Sequence, residues 1–156
     1  MYQIQFDKPV HVHFIGIGGI SMSGLAEILL SRKFPVSGSD SHESALTDQL
    51  AAQGAVVHYP QMAENITDDI DVVVYTAAIH PDNPEFRAAQ EKNLPMLTRA
   101  QLLGEIMRNY KEAINVSGTH GKTTTTSMNP EILLEAHKDP TDSDGGMPKE
   151  IGGNNR

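Results

Sequence analysis

Residues Val10–Leu30 read VHVHFIGIGGISMSGLAEILL, and this stretch decides the fold. Its opening residues alternate and then turn fully apolar, as a buried strand does. Gly16-Ile-Gly-Gly19 breaks the run. Met22, Leu25, Ala26, Leu29 and Leu30 then recur at helical spacing. A strand that passes through a glycine turn straight into a helix opens a βα unit.

The same alternation continues outward along the chain. Phe34–Asp40 reads as a second strand, and Ala45–Gln53 as a helix stopped by Gly54. Ala55–His58 is a third strand, and Asp71–Ala77 is the clearest one. Asn83-Pro84 starts a helix with proline at its first position, running to about Lys92. Leu94–Leu97 is a short strand, and Thr98 caps a helix through Arg108. Ala113–Val116 is a further strand, and Lys122 onward is expected to be helical until Asn129-Pro130 breaks it. Strands alternating with helices mean a parallel sheet with helices on both faces. The polar link Arg108-Asn-Tyr-Lys111 divides the chain. Residues 1 to about 110 form one α/β domain, and 111–156 open a second.

The chain has 156 residues and a net charge of −8, with no cysteine. The acidic balance argues against general affinity for nucleic acid or an anionic membrane surface. Without cysteine there is no disulfide framework and no thiolate metal site. No apolar run approaches the roughly 20 residues of a membrane span, and the N-terminus lacks a secretory pattern. A cytoplasmic protein with no membrane partner is expected.

Two glycine turns carry the chemistry. In Gly16-Ile-Gly-Gly-Ile-Ser-Met-Ser-Gly24, glycines let a ligand's phosphates approach main-chain amides at a helix start. Asp40 ends the second strand, where an acid commonly meets a ribose hydroxyl. Ser21 stands where a dinucleotide fingerprint has its third glycine. The turn therefore points to a nucleotide without saying which. A plain tight βα turn is the structural alternative. In Gly118-Thr-His-Gly-Lys-Thr123, amides surround phosphates, Lys122 neutralises their oxygens and the Thr123 hydroxyl ligates Mg²⁺. This second loop is shorter than the usual Walker spacing, because Val116 stands at the place of the first glycine.

Of the seven histidines, His11 and His13 alternate on one strand face. Ordinary, partly buried side chains are the expectation for them. Asp68–Asp71 reads as a solvated turn, and Arg99 and Arg108 as surface charges.

Five stretches together resemble the Mur ligases of bacterial cell-wall synthesis. They are HFIGIGGISMSGLAEIL at 13–29, SGSD at 37–40, TAAIHPDNPE at 76–85, RAQLLGEIM at 99–107 and GTHGKTTTTSM at 118–128. The resemblance spans residues 10–136, and the short G-T-H-G-K-T loop is the family's own form. It implies a Rossmann-like domain for a UDP-sugar, then the first βα unit of a P-loop ATP-binding domain. It implies ATP-dependent amide ligation in peptidoglycan precursor synthesis, with ATP and Mg²⁺. The lactyl carboxylate of UDP-N-acetylmuramate is phosphorylated, and L-alanine's amine attacks the acyl phosphate. By the same resemblance Gly16, Gly18, Gly19, Ser21, Met22 and Ser23 face the UDP diphosphate. Asp40 lies near ribose or uracil, and Thr76, Ala77 and Ala78 line the uracil side. Gly118, Thr119, His120, Gly121, Lys122, Thr123 and Thr124 cradle ATP, with Lys122 and Thr123 catalytic.

The family's further metal ligands, adenine pocket and amino-acid domain have no counterpart in the sequence. The likeness fades after Met128, where Asp142, Asp144, Pro148 and Glu150 replace an apolar strand. The chain is therefore expected to be an N-terminal fragment that binds the UDP-sugar without turnover. An NAD(P)-binding domain of an oxidoreductase and a non-catalytic UDP-sugar module are the competing readings. Within the family, the recycling tripeptide ligase is the nearest rival.

Overall fold

The computed structural model describes residues 2–114 and 119–120. The chain divides into two compact units, Met1–Lys111 and Glu112–Arg156. Of the second unit only residues 112–114 and 119–120 are described. The strand expected to end at Val116, the helix expected from Lys122, and Gly118, Gly121, Lys122, Thr123 and Thr124 lie outside the described residues.

The first unit runs β1 (Val12–Ile15), α1 (Ile20–Ser31), β2 (Val36–Ser39), α2 (Ala45–Ala52), β3 (Val56–His58), β4 (Val72–Tyr75), α3 (Pro84–Glu91), β5 (Met96–Thr98) and α4 (Arg99–Met107). A 3-10 turn at Ala63–Asn65, not foreseen from the sequence, sits between β3 and β4. The five strands form one parallel sheet in the order β3-β2-β1-β4-β5. The α/β expectation stands, with strand ends trimmed by one or two residues, as hydrogen-bond assignment commonly does.

The helices stop and start by local chemistry. Ser44 and Thr98 form capping boxes with Thr47 and Gln101, and the Asn83 side chain accepts from Glu85 N and Phe86 N. At the other ends Lys33, Gly54 and Asn93 take positive φ. The following amides reach back into the helices, as in Phe34 N to Leu29 O, Ala55 N to Leu50 O and Leu94 N to Ala89 O. That is the Schellman arrangement, and it turns each helix directly towards the next strand.

The sheet buries both faces. Val12, Phe14, Val36, Val72 and Val74 pack with Leu25, Ala26, Leu29, Leu50, Leu102 and Ile106 from α1, α2 and α4. Ile15 and Val73 face the opposite way, against Ile66, Ile70, Ala88 and Ala89. Strands covered on both sides read as near-continuous apolar runs, which is why β4 was the clearest of them. Among the described residues no helix is long and apolar enough to cross a membrane.

Candidate functional site

β1 and β4 are neighbours, and their connections leave towards opposite faces, to α1 and to α3. In an open parallel sheet such a switch point leaves a crevice beyond the strand ends. Here its walls are Gly16–Ile20 after β1 and Thr76–Ile79 after β4. The two walls approach closely: a side chain added at Gly16 would lie 3.8 Å from Ile79 Cδ1. Gly16 also has φ +84°, so the turn itself calls for glycine.

The amides of this corner fall into two sets. Gly16 N and Ile17 N donate to Ser39 O at 2.8 and 2.9 Å. Gly18 N donates to Asp40 Oδ2 at 2.8 Å, and Gly19 N to Gly16 O at 3.3 Å. Ser23 N donates to Gly19 O, and the Ser23 hydroxyl to Ile20 O. That leaves Ile20, Ser21 and Met22, the first three residues of α1, whose amides have no partner among the described residues. The N-cap is Gly19, with no side-chain cap, and the first turn holds no acidic residue. Among the described residues α1 is the one α-helix of four whose N-terminus no side chain caps. Free amides and the positive end of the helix dipole make a ready anion site.

The sequence-predicted residues are thus redistributed. Ser21 sits at the open helix start, and Met22 offers its amide while its side chain is buried. Ser23 is buried, with both polar groups satisfied inside the protein. Gly18 and Gly19 shape the corner, but their amides are already bonded. Asp40 is pinned, with Oδ2 on the Gly18 amide and Oδ1 on the Ser41 amide at 2.7 Å. Thr76, Ala77 and Ala78 are at the crevice, with Ala77 and Ala78 exposed. Gly24 lies inside α1, away from the turn.

Gly19 has φ −65° and ψ 140°, which any residue adopts. A side chain there would meet only Gly16 O at 3.6 Å and Met22 at 3.9 Å. The fold therefore does not require glycine at 19. Gly38 is different. A side chain would lie 2.7 Å from Ile17 Cδ1 and 2.8 Å from Phe14 O. Gly38 makes room for fully buried Ile17, which carries the glycine turn over β2.

Behind the corner lies a polar cluster that sequence reasoning missed. His13 and Glu85 are fully buried, not partly exposed. The Ser39 hydroxyl donates to Glu85 Oε2 at 2.5 Å, and Asn65 Nδ2 to Glu85 Oε1 at 2.6 Å. Burial alone pushes the Glu85 carboxyl up, but bonds from His13, Ser39 and Asn65 outweigh it and hold it below the usual range. The available signal was polar residues at alternate positions, His11 with His13 and Ser37 with Ser39. Asp68 and Asp69 are solvated, as expected, and each also pairs at the surface. Asp68 pairs with Lys92 at 2.7 Å, and Asp69 with His11 at 2.9 Å.

Among the described residues no group of three or more His, Asp or Glu side chains is placed to hold a metal. A shallow depression lined by Ile66, Thr67, Ala88 and Lys92 shares no residue with the corner.

Comparison with known proteins bears on this geometry. Residues 11–111 match the model of the Mur ligase family, catalytic domain. The chain is 70% identical over all of its 156 residues to the UDP-N-acetylmuramate–L-alanine ligase of Lachnospira eligens, covering 34% of that protein. It therefore spans about a third of the length of the curated relatives it matches. Among solved structures, UDP-N-acetylmuramate-alanine ligase MurC from Thermotoga maritima superposes with a TM-score of 0.77 at 38% identity. That match covers 84% of this chain and 30% of that one. The UDP-N-acetylmuramate:L-alanyl-gamma-D-glutamyl-meso-diaminopimelate ligase of Neisseria meningitides gives 0.75 at 34% identity, covering 83% and 40%. A family model matched over most of the chain, with the glycine corner and the SGSD strand inside the match, settles the kinship: the chain belongs to the Mur ligase family.

Proposed function

We propose that this chain is the UDP-sugar-holding part of an enzyme that joins L-alanine to UDP-N-acetylmuramate at the expense of ATP. The observation that carries the proposal is the uncapped start of α1, with the amides of Ile20, Ser21 and Met22 unpartnered among the described residues and no acidic residue in its first turn. In this reading those amides hold the diphosphate. Gly19 lets it approach, and Thr76–Ala78 line the uracil side across the crevice. Asp40 fixes the glycine turn through Gly18 and lies near the ribose or uracil. Residues 1–110 form the sugar-nucleotide domain, and 111–156 begin the ATP domain. The 70% identical relative named as an L-alanine ligase supports alanine over a tripeptide as second substrate.

The donor set of Gly118–Thr124 suits a magnesium nucleotide: glycine amides, one cation in Lys122 and the Thr123 hydroxyl for Mg²⁺. When bound there, ATP supplies the phosphoryl group that activates the lactyl carboxylate. Work of this kind belongs in the cytoplasm, where UDP-sugars and ATP are found together.

Titration calorimetry with UDP-N-acetylmuramate, UDP and NAD tests the reading. The expected result is binding of both uridine nucleotides and none of NAD. Gly19→Val should abolish that binding and leave the thermal midpoint within a few degrees, since an added Cβ there meets only ordinary contacts at 3.6 Å and beyond. Tight NAD binding with none for UDP would overturn the proposal in favour of an oxidoreductase domain.

A further inference from the structure

Polar groups form a continuous chain across the sheet behind the glycine corner, and the proposed function does not use it. The chain starts at Asp69, whose side chain is 73% exposed and whose Oδ2 lies 2.9 Å from His11 Nδ1. His11 Nε2 and His13 Nδ1 both lie 2.8 Å from one atom, Ser37 Oγ. His13 Nε2 lies 3.4 Å from Glu85 Oε2.

The bonds fix the charge of Glu85. Oε2 accepts from Ser39 and faces His13 Nε2; Oε1 accepts from Asn65 Nδ2 and from Met62 N at 3.3 Å. Three donors, the Ser39 hydroxyl, Asn65 Nδ2 and Met62 N, converge on the carboxylate, and their bonds favour its charged form. Glu85 also sits in the first turn of α3, where the helix dipole favours negative charge. A buried carboxylate requires a counter-charge. Among the described residues no Lys or Arg supplies it: Lys92 is on Asp68 and Arg108 on Glu105.

The histidines supply it, and the proton count follows. At the surface end stand Asp69 and Asp71, the latter accepting His11 N at 2.7 Å. Hydrogen bonds, Thr67's first, hold the Asp69 carboxyl below the usual range. Facing carboxylates, His11 Nδ1 and His13 Nε2 each carry a proton. Were both rings neutral, two bare nitrogens would compete for the single Ser37 hydroxyl proton, and one 2.8 Å contact would hold no hydrogen. One added proton on either facing nitrogen repairs this. That nitrogen donates to Ser37 Oγ, and the hydroxyl donates onward to the other ring. A proton passing from His11 to Oγ, as the hydroxyl proton passes to His13, exchanges the two arrangements with no net change.

We infer that His11 and His13 share one proton across the Ser37 hydroxyl, and that this shared charge keeps Glu85 ionised as a positioning residue behind the glycine corner. Glu85 holds the Ser39 hydroxyl, and Ser39 O holds the Gly16 and Ile17 amides. The positioning role rests on the proposed function; the shared proton does not.

The test is the nitrogen-15 shifts of the four ring nitrogens in the 156-residue chain at neutral pH. His11 Nδ1 and His13 Nε2 should be fully protonated. His11 Nε2 and His13 Nδ1 should show intermediate shifts that add up to one proton. Both facing nitrogens bare, or both fully protonated, would overturn the inference without any variant. In Ser37→Ala the facing nitrogens should lose their intermediate shifts; keeping them would also overturn it. Glu85→Gln, which keeps the shape of the side chain and removes its charge, should weaken UDP-N-acetylmuramate affinity and shift the Gly16 and Ile17 amide resonances. Unchanged affinity with unmoved amides would end the positioning role. Shared shifts without any UDP-sugar binding would remove the proposed ligand and leave the shared proton standing.

Discussion

Replacing Gly38 with alanine places a methyl group where the protein has no room. The added Cβ would lie 2.7 Å from Ile17 Cδ1, 2.8 Å from Ile17 Cβ and 2.8 Å from Phe14 O. Only the first of these can rotate away. The other two are fixed by the glycine turn and by β1, so relief requires β2 to move from β1 or the turn to lift. Overpacking of this kind costs about 1–3 kcal/mol. Exposing Ile17 instead would forfeit up to about 3 kcal/mol of burial. Reduced freedom of the unfolded chain returns at most about 1 kcal/mol. The net loss is about 1–2 kcal/mol, or roughly 4–16 °C in melting temperature for a domain near 100 residues. Thermal unfolding followed by circular dichroism measures it. A Gly38→Ala variant melting within 2–3 °C of wild type, by that same estimate, would refute the packing argument.

Other glycines and charges give sharper contrasts. Gly24→Ala should stabilise the protein by about 0.5–1 kcal/mol, since the site is inside α1 and an added Cβ meets nothing within 4 Å; a higher melting temperature is the check. Gly18→Ala should displace Asp40, whose Oδ2 would lie 2.8 Å from the new Cβ, and weaken UDP-sugar binding; calorimetry beside Asp40→Asn would show similar losses for the two. Glu85 has a carboxyl held below its ordinary 4.5. Its contribution is therefore complete above about pH 4.5 and is lost as pH falls through the lowered value. Acid unfolding curves should lose that component in Glu85→Gln.

What the sequence disclosed followed from local rules. β4 is legible because Val72–Val74 is buried on both faces, and α3 because Asn83-Pro84 is a cap followed by a first-turn proline. The strand-glycine-helix run of 12–31 is likewise local. The glycine turn was legible, but which of its amides are already bonded inside the protein was not. Gly18 and Gly19 look free in sequence; the structure gives their N–H groups to Asp40 and Gly16 O and moves the open amides to Ile20–Met22. The partner of Gly18 is 22 residues away, and no local pattern announces it. The buried polar chain was hidden for the same reason. His13, Ser37 and Glu85 belong to β1, β2 and α3, and His13 is 72 positions from Glu85. Their burial is a property of how three segments meet, which composition and periodicity do not encode. The SGSD stretch, first read as a likeness, has a physical reason at each place. Ser37 bridges the histidines, Gly38 admits Ile17, Ser39 joins Glu85 to the glycine turn, and Asp40 anchors Gly18.

The central claim is that the open amides of α1 grip a uridine diphosphate, and backbone amide shifts during a UDP-N-acetylmuramate titration address it most directly. Ile20, Ser21 and Met22 should show the largest changes, all saturating with one dissociation constant. Saturable binding that leaves those three resonances unmoved would contradict the account.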